Sequence, residues 1–329
     1  MIAAQSLRCG ECGGEIAPGL LSCPNCGRLV HSQALQNLAQ RAGMAERAGQ
    51  WSEALTAWRE AVGYLPPGTR QRTEVEAKIA ALSRQVASGG PAGQPWWKRT
   101  KALGPVGVAA ALLGKAKFLL LGFSKIGTLL SFLVSLSVYW ALWGWKFALG
   151  FLLSIYVHEM GHVAALHRFG VPASAPTFIP GFGAFVRLKQ HPASAREDAR
   201  VGIGGPVWGL FASLAAYGLF VATGNGLFAA VARAGAWVNL FNLIPVWQLD
   251  GSRGIRSLNK TQIWMLAFTA AGCWFVFQEG MVLLLALVLA FRAYTKRDTP
   301  EDEDWSGFAQ FAGLIAAFSL LAQIPGAKR

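Results

Sequence analysis

The chain has 329 residues, of which 53% are hydrophobic and only 14% are charged. This composition argues against a single soluble globular domain, in which about 25% of residues are charged. The net charge of +13 does not point to nucleic acid, because the basic residues cluster beside apolar stretches. That placement is typical of the cytosolic loops of membrane proteins, where anionic lipid is the expected partner.

The sequence predicts four regions in chain order. Residues 1–32 carry paired cysteines, and residues 33–86 have the pattern of a helical segment. Residues 87–102, rich in glycine and proline before a Trp-Trp pair and basic residues, predict a linker and membrane-surface anchor. Residues 103–329 hold long apolar runs and predict a multi-pass membrane domain. Because no signal-peptide pattern precedes the cysteines, we expect the amino terminus to lie in the cytosol.

Two CxxC pairs, CGEC and CPNC, stand ten residues apart near the amino terminus. They supply Cys9, Cys12, Cys23 and Cys26. Four thiolates at this spacing predict a tetrahedral zinc site and resemble a zinc ribbon. Such a site has no open position for substrate, so this zinc would be structural. Two disulfides are the alternative, which the reducing cytosol disfavours.

Residues 35–67 place small and aromatic side chains at helical spacing on two adjacent segments. The pattern resembles a single tetratricopeptide repeat, and its positions are Gly49, Trp51, Ala54, Trp58, Ala61 and Pro66. One repeat does not bury its own apolar face, so we expect a helix near residues 73–86 to cover it. The segment is either a docking site for a protein partner or a helical spacer that holds the ribbon.

Apolar runs of about 20 residues predict transmembrane helices. The predicted spans are 126–145, 146–169, 201–223, 227–247, a helical hairpin at 263–277 and 281–294, and 308–324, with a partly inserted stretch at 104–121. Residues 174–192 predict a short β-hairpin or re-entrant loop at the membrane face, or a plain surface loop. The fold class is therefore an all-α polytopic membrane protein of about six transmembrane helices, preceded by a zinc ribbon and a helical-repeat segment.

The second predicted span contains the motif HExxH, formed by His158, Glu159 and His162. Two histidines four residues apart lie on one face of a helix, as zinc ligands do, and the adjacent glutamate can act on water. Ionisable groups inside a membrane span are costly and are functional by default. Gly161, between them, allows a neighbouring element to approach closely.

A later segment has the pattern NxxPxxxLDG, with Asn242, Pro245, Asp250 and Gly251. Pro245 should interrupt or end the fourth span, because it lacks an amide hydrogen. If the amino terminus is cytosolic, alternation of the spans puts Asp250 at a similar depth to the two histidines, on the same side. Asp250 is thus a candidate third metal ligand.

Together, the two motifs resemble the site-2 protease family of intramembrane zinc metalloproteases. The resemblance implies that His158, His162 and Asp250 bind a catalytic zinc, with water at the fourth position, and that Glu159 is the general base. It implies that Asn242 hydrogen-bonds substrate or stabilises an oxyanion. A turn asparagine is the alternative for Asn242, and Asn239 is a weaker candidate for the same work.

The third span contains Gly205 and Pro206, which are similar to a glycine-proline pair in the family's middle helix. Many members have an asparagine three residues after that proline, where this chain has Gly209. The departure puts a secondary role in doubt, although a small residue still permits close helix packing.

The expected function is an intramembrane zinc endopeptidase of a prokaryotic cell (inner) membrane, with one catalytic and one structural zinc ion. Its expected substrates are membrane proteins or membrane-anchored peptides. The zinc ribbon and the helical segment after it are the candidate site for a protein partner. The main alternative is a catalytically silent membrane scaffold that recruits partners through the ribbon and helical segment. A transporter is a third possibility, but it does not account for the HExxH spacing.

Overall fold

The computed structural model describes residues 7–87, 125–181, 183–188, 190, 192–296 and 303–324. The chain divides into two compact units, one formed by Met1–Pro91 with Arg168–Val171 and the other by Ala92–His167 with Pro172–Arg329. Apart from Ala87, the linker predicted at 87–102 lies outside the described residues, as does the inserted stretch predicted at 104–121.

In the first unit, the described residues first form a two-stranded antiparallel sheet, β1 (Leu7–Arg8) and β2 (Glu15–Ile16). Three helices follow, α1 (Ser32–Arg47), α2 (Trp51–Val62) and α3 (Arg70–Ala87). Helices α1 and α2 are joined by a turn in which Gly49 has a φ of 70°, a conformation that favours glycine. The helices pack through buried alanines and leucines, but the tetratricopeptide identity of this segment stays a prediction.

In the second unit, the described residues first form helices α4 (Ile126–Trp143) and α5 (Trp145–Arg168) and then a hairpin of β3 (Thr177–Ile179) and β4 (Gly183–Phe185). The helices after the hairpin are α6 (Ala195–Thr223), α7 (Gly226–Asn242), α8 (Asp250–Gly254), α9 (Lys260–Phe277), α10 (Gly280–Thr295) and α11 (Trp305–Leu321). This order confirms the all-α fold class with a short β-hairpin.

Among the described residues, three helices are long and apolar enough to cross a bilayer, namely α4, α5 and α6. Helices α10 and α11 are also apolar but shorter. The membrane core is thus helical, as expected, while the number of crossings beyond these three stays a prediction.

Helix ends follow local sequence signals. The Ser194 side chain accepts a hydrogen bond from the Glu197 amide and caps α6, and Asn259 and Gln262 form a capping box at α9. Helix α7 ends at Asn242 instead of continuing to 247 as predicted for the fourth span. The chain then turns through Pro245, which cannot continue a helical hydrogen-bond pattern, and starts α8 at Asp250.

Candidate metal centre

Three side chains from two helices converge at the centre of the second unit. His158 and His162 lie one turn apart on α5, and Asp250 is the first residue of α8. The two Nε2 atoms are 3.3 Å apart, and the Asp250 carboxylate oxygens lie 3.0 Å from His158 Nε2 and 3.2 Å from His162 Nε2. All three side chains are at most 14% exposed. The structure therefore brings together the three ligands expected from the sequence.

The hydrogen bonds of the two imidazoles fix their tautomers. His158 Nδ1 lies 2.8 Å from Asn239 Oδ1, and His162 Nδ1 lies 2.8 Å from the Val201 carbonyl oxygen. The Asn239 amide nitrogen donates to the Gly235 carbonyl, so its oxygen faces His158. Both partners are then acceptors, and each Nδ1 must carry the proton. Each Nε2 consequently presents its lone pair to the centre, as a metal ligand does.

This arrangement fits a zinc ion. Two buried lone pairs and a carboxylate that face one another repel unless a cation lies between them. Tetrahedral zinc with Zn–N distances of about 2.0–2.1 Å spaces its ligand atoms about 3.3 Å apart, which agrees with the observed separations. Asp250 Oδ2 is also buried without a hydrogen-bond partner, and metal coordination would satisfy it.

Glycines on α6 give the ligands room. A Cβ on Gly205 would lie 2.3 Å from His162 Nε2 and 2.6 Å from His158 Nε2, and one on Gly202 would lie 2.9 Å from the Asp250 carbonyl oxygen. A Cβ on Gly161 of α5 would lie 2.3 Å from the Gly204 carbonyl oxygen. Helices α5 and α6 are therefore in backbone contact, which confirms the close approach expected at Gly161.

A charged anchor holds α8, and with it Asp250, against α6. The Asp198 carboxylate on α6 accepts hydrogen bonds from Arg253 Nε and Nη2, at 2.8 and 2.5 Å, and from Arg256 at 2.6 Å. Gly251 permits this placement, because a Cβ there would overlap the Leu243 carbonyl oxygen. A steric requirement therefore explains why the LDG motif has glycine at position 251.

A cavity of about 520 Å³ opens beside His158. Its polar lining includes His158, Glu159 and Asn242, and Glu159 itself is 6% exposed. Most of the remaining lining is apolar or aromatic: Tyr139, Leu142, Trp143, Phe151, Ile155, Trp237, Val238, Phe241, Leu249 and Met281. The cavity can therefore hold an apolar substrate segment with one polar edge toward His158 and Glu159.

The β-hairpin borders this cavity through Gly183 and Ala184 of β4. Its other strand is fastened to α4, where Thr128 donates to the Pro176 carbonyl and Ser131 accepts from the Phe178 amide. Strand β4 is consequently the cavity side of the hairpin.

The four cysteines of the first unit form a second cluster, with all four Sγ atoms within 4.8 Å of one another. Cys9 and Cys26 Sγ are 3.6 Å apart, as are those of Cys12 and Cys23. Disulfide sulfurs would be about 2.05 Å apart, and the cysteines are free. Tetrahedral zinc thiolates, at about 2.3 Å from the ion, have separations close to those observed. The cluster fits a zinc ribbon.

The sequence did not predict the hydrogen bonds and ion pairs that orient the metal centre. Asn239 contacts His158 and also lines the cavity, so a role in substrate binding stays a prediction, whereas the Val201 carbonyl and the Asp198 anchor were not predicted. One available signal was the glycine spacing at 202, 205 and 209, which puts three glycines on one face of α6. An apolar helix with such a face has a close neighbour.

The fold and this centre define a helical membrane protein with a candidate zinc site of two histidines and an aspartate. Residues 146–234 match the family described as Peptidase family M50. This is the site-2 protease family, a family of membrane-embedded metalloproteases that use zinc, so the resemblance noted in the sequence is confirmed. The match includes HExxH and the glycines of α6 and ends before Asn242 and Asp250. A comparison with curated proteins finds no match.

Proposed function

We propose that this chain is an intramembrane zinc endopeptidase that hydrolyses peptide bonds of membrane-bound proteins, within or near the cytosolic half of the bilayer. One observation carries the proposal. The ligand triad of His158, His162 and Asp250 has both imidazoles in the metal-binding tautomer, and Glu159 lies beside it on the wall of an apolar cavity. A structural metal site would not need this cavity.

The side chains around the cavity have distinct roles in this proposal. A zinc ion bound by the triad would supply Lewis acidity toward a water molecule and the scissile carbonyl. Glu159 accepts the proton of the attacking water and returns it to the leaving amine. Asn242, at the carboxyl end of α7, offers an amide to the substrate backbone or to the developing oxyanion.

Substrate enters as an extended segment beside β4. In an antiparallel pair, residues alternate between hydrogen-bonded and non-hydrogen-bonded positions. The Phe178 amide points away from β4 to Ser131, so its partner Ala184 directs its own N–H and C=O to the opposite edge, where the cavity lies. A substrate strand that pairs with this edge would be unwound and held near Glu159.

The apolar lining selects the substrate class. Tyr139, Trp143, Phe151, Trp237 and Phe241 favour large apolar side chains, such as those of a transmembrane segment. Most of this lining offers no partner to a charged side chain, which would lose its hydration there. We therefore propose cleavage of transmembrane or membrane-anchored segments, as in regulated intramembrane proteolysis.

The surroundings complete the proposal. The amino terminus lies in the cytosol of a prokaryotic cell, the chain spans the cell (inner) membrane, and its basic loops contact anionic lipid. The four-cysteine zinc is structural, and the ribbon with the helical segment is a docking site for a protein partner. The expected content is two zinc ions per chain.

The decisive experiment replaces Glu159 with Gln, which keeps the side-chain shape but removes the base. Membrane fractions from cells with wild-type or E159Q protein are compared for protein fragments by mass spectrometry. We expect fragments that require Glu159, with unchanged zinc content. The matched control is Glu74→Gln, an exposed glutamate of α3 paired with Arg70, which should cleave like wild type. If zinc is bound but no fragment depends on Glu159, the chain is a silent scaffold instead.

A further inference from the structure

The carboxamide of Asn239 lies between three helices. It is 2% exposed on α7, its oxygen is 2.8 Å from His158 Nδ1 of α5, and its nitrogen donates to the Gly235 carbonyl of its own helix at 2.8 Å. On the third side it faces Gly209 of α6. Both ends of the amide therefore have a defined partner, which fixes its rotation.

The two histidines differ in how they are held. His162 donates to the backbone carbonyl of Val201, which no side-chain substitution can remove. His158 donates to a side chain, and its ring orientation therefore depends on Asn239. Partners of this kind fix the tautomer and raise the basicity of a metal-binding imidazole.

Gly209 is the steric counterpart of Asn239. A Cβ on Gly209 would lie 2.2 Å from Asn239 Oδ1 and 2.5 Å from its Nδ2, so position 209 has no room for a side chain while the amide is present. The same distances mean that a side chain on residue 209 points directly into the space that the amide fills. A carboxamide carried by α6 would reach this space from the other side.

We propose that Asn239 and Gly209 form one positioning unit for His158, in which α7 supplies the amide and α6 supplies the space, and that the two roles can be exchanged between the helices. Asn239 is a positioning residue, because it acts through His158. The inference rests on the proposed function only in taking His158 as a zinc ligand.

The test measures zinc affinity of the full-length protein in detergent, equilibrated with buffers of graded free zinc. The four-cysteine cluster serves as an internal reference, because its loading should not change. We expect Asn239→Ala to weaken zinc binding at the site of His158, His162 and Asp250 by about 10–100-fold. Gly209→Asn alone should weaken it as well, through overlap with Asn239. The double variant G209N/N239G should regain most of the lost affinity.

Two further variants separate positioning from folding. Asn225→Ala removes the amino-terminal cap of the same helix and should leave the zinc affinity of both sites unchanged. Asn239→Asp keeps the acceptor for His158 but loses the donor to the Gly235 carbonyl, so it should bind zinc better than Asn239→Ala and less well than wild type. Cobalt-loaded protein reports the geometry of the site formed by His158, His162 and Asp250. The visible absorption of cobalt at this site should change in N239A and return in the double variant.

Defined results overturn the inference. It fails if N239A binds zinc as wild type does, if N239D loses as much affinity as N239A, or if the double variant G209N/N239G binds zinc no better than N239A. These measurements do not need a substrate. A protein that binds zinc as expected but shows no cleavage dependent on Glu159 would therefore sink the proposed function and leave this inference standing.

Discussion

The four-cysteine cluster takes all of its candidate ligands from residues 9–26, whereas the other centre takes His158 and His162 from α5 and Asp250 from α8. In the cluster, each CxxC pair forms its own turn. The amides of Gly13 and Gly27 donate to the carbonyls of Cys9 and Cys23, and both glycines have positive φ values, 69° and 75°. Local hydrogen bonds thus orient these thiols.

The His-His-Asp centre depends instead on contacts between helices. The rings are oriented by α6 and α7, and α8 is held by Asp198. A local cluster can surround an ion with four ligands, which suits a structural role. A centre assembled from several helices can leave one side open to a cavity, which catalysis requires. The difference between the two sites is one of assembly as well as ligand type.

The largest expected effect comes from removing ligands one site at a time. His158→Ala should reduce the zinc content from two ions per chain to one, because two remaining ligands bind zinc weakly. Cys23→Ser should also leave one ion, now at the His-His-Asp centre. Metal analysis of the purified proteins checks both, and Cys273→Ser, outside the cluster, is the control with two ions. Loss of both ions in either variant would mean that the sites are not independent.

A methyl group should suffice to break the assembled centre. Gly205→Ala puts a Cβ 2.3 Å from His162 Nε2, so the imidazoles must move apart and zinc at this centre should fall below detection. Gly218→Ala is the matched control on the same helix, since its Cβ would meet nothing within 4 Å. Bound zinc is measured as before. A G205A protein that keeps both ions would show that α5 and α6 can separate without cost to the centre.

This contrast also explains how much the sequence could predict. The cysteine cluster was predictable from spacing alone, because each CxxC pair forms a local turn. HExxH and LDG gave the candidate ligands, and Pro245 indicated where α7 should end. The contact of Asn239 with His158 was not predictable, because it depends on how α7 is rotated against α5. Helices that are apolar on all sides give no periodic signal for that rotation.

The anchor of α8 should matter less than the ligands. Asp198→Asn removes the charge that holds Arg253 and Arg256, and we expect a loss of about 2 kcal/mol in the free energy of unfolding and zinc binding about 10-fold weaker. Thermal unfolding in detergent and zinc titration check these effects. Arg256→Ala is the control, because that side chain is 63% exposed and exposed pairs contribute less than about 1 kcal/mol. Equal effects of the two variants would mean that the buried Arg253 contact with Asp198 adds nothing beyond the exposed Arg256 contact.

The smallest effect concerns Asp304, which caps α11 and joins it to α6. Burial opposes ionisation of this carboxyl group, but its hydrogen bonds with Arg200 and Ser257 outweigh that cost and lower the pKa of Asp304. A lowered pKa in the folded state contributes stability above the unfolded pKa of about 3.9, and that contribution is lost as the pH falls through the folded value.

The expected result is a stability difference between wild type and Asp304→Asn that stays constant from pH 7 to about pH 5 and shrinks below about pH 4. Thermal unfolding followed by tryptophan fluorescence measures the difference at each pH. Zinc at the four-cysteine cluster should also be lost in acid, since thiolates must be deprotonated to bind. The comparison is therefore made in the H158A/C23S background, where neither site is complete. A difference that persists unchanged at low pH would mean that the Asp304 charge does not stabilise the contact between α11 and α6.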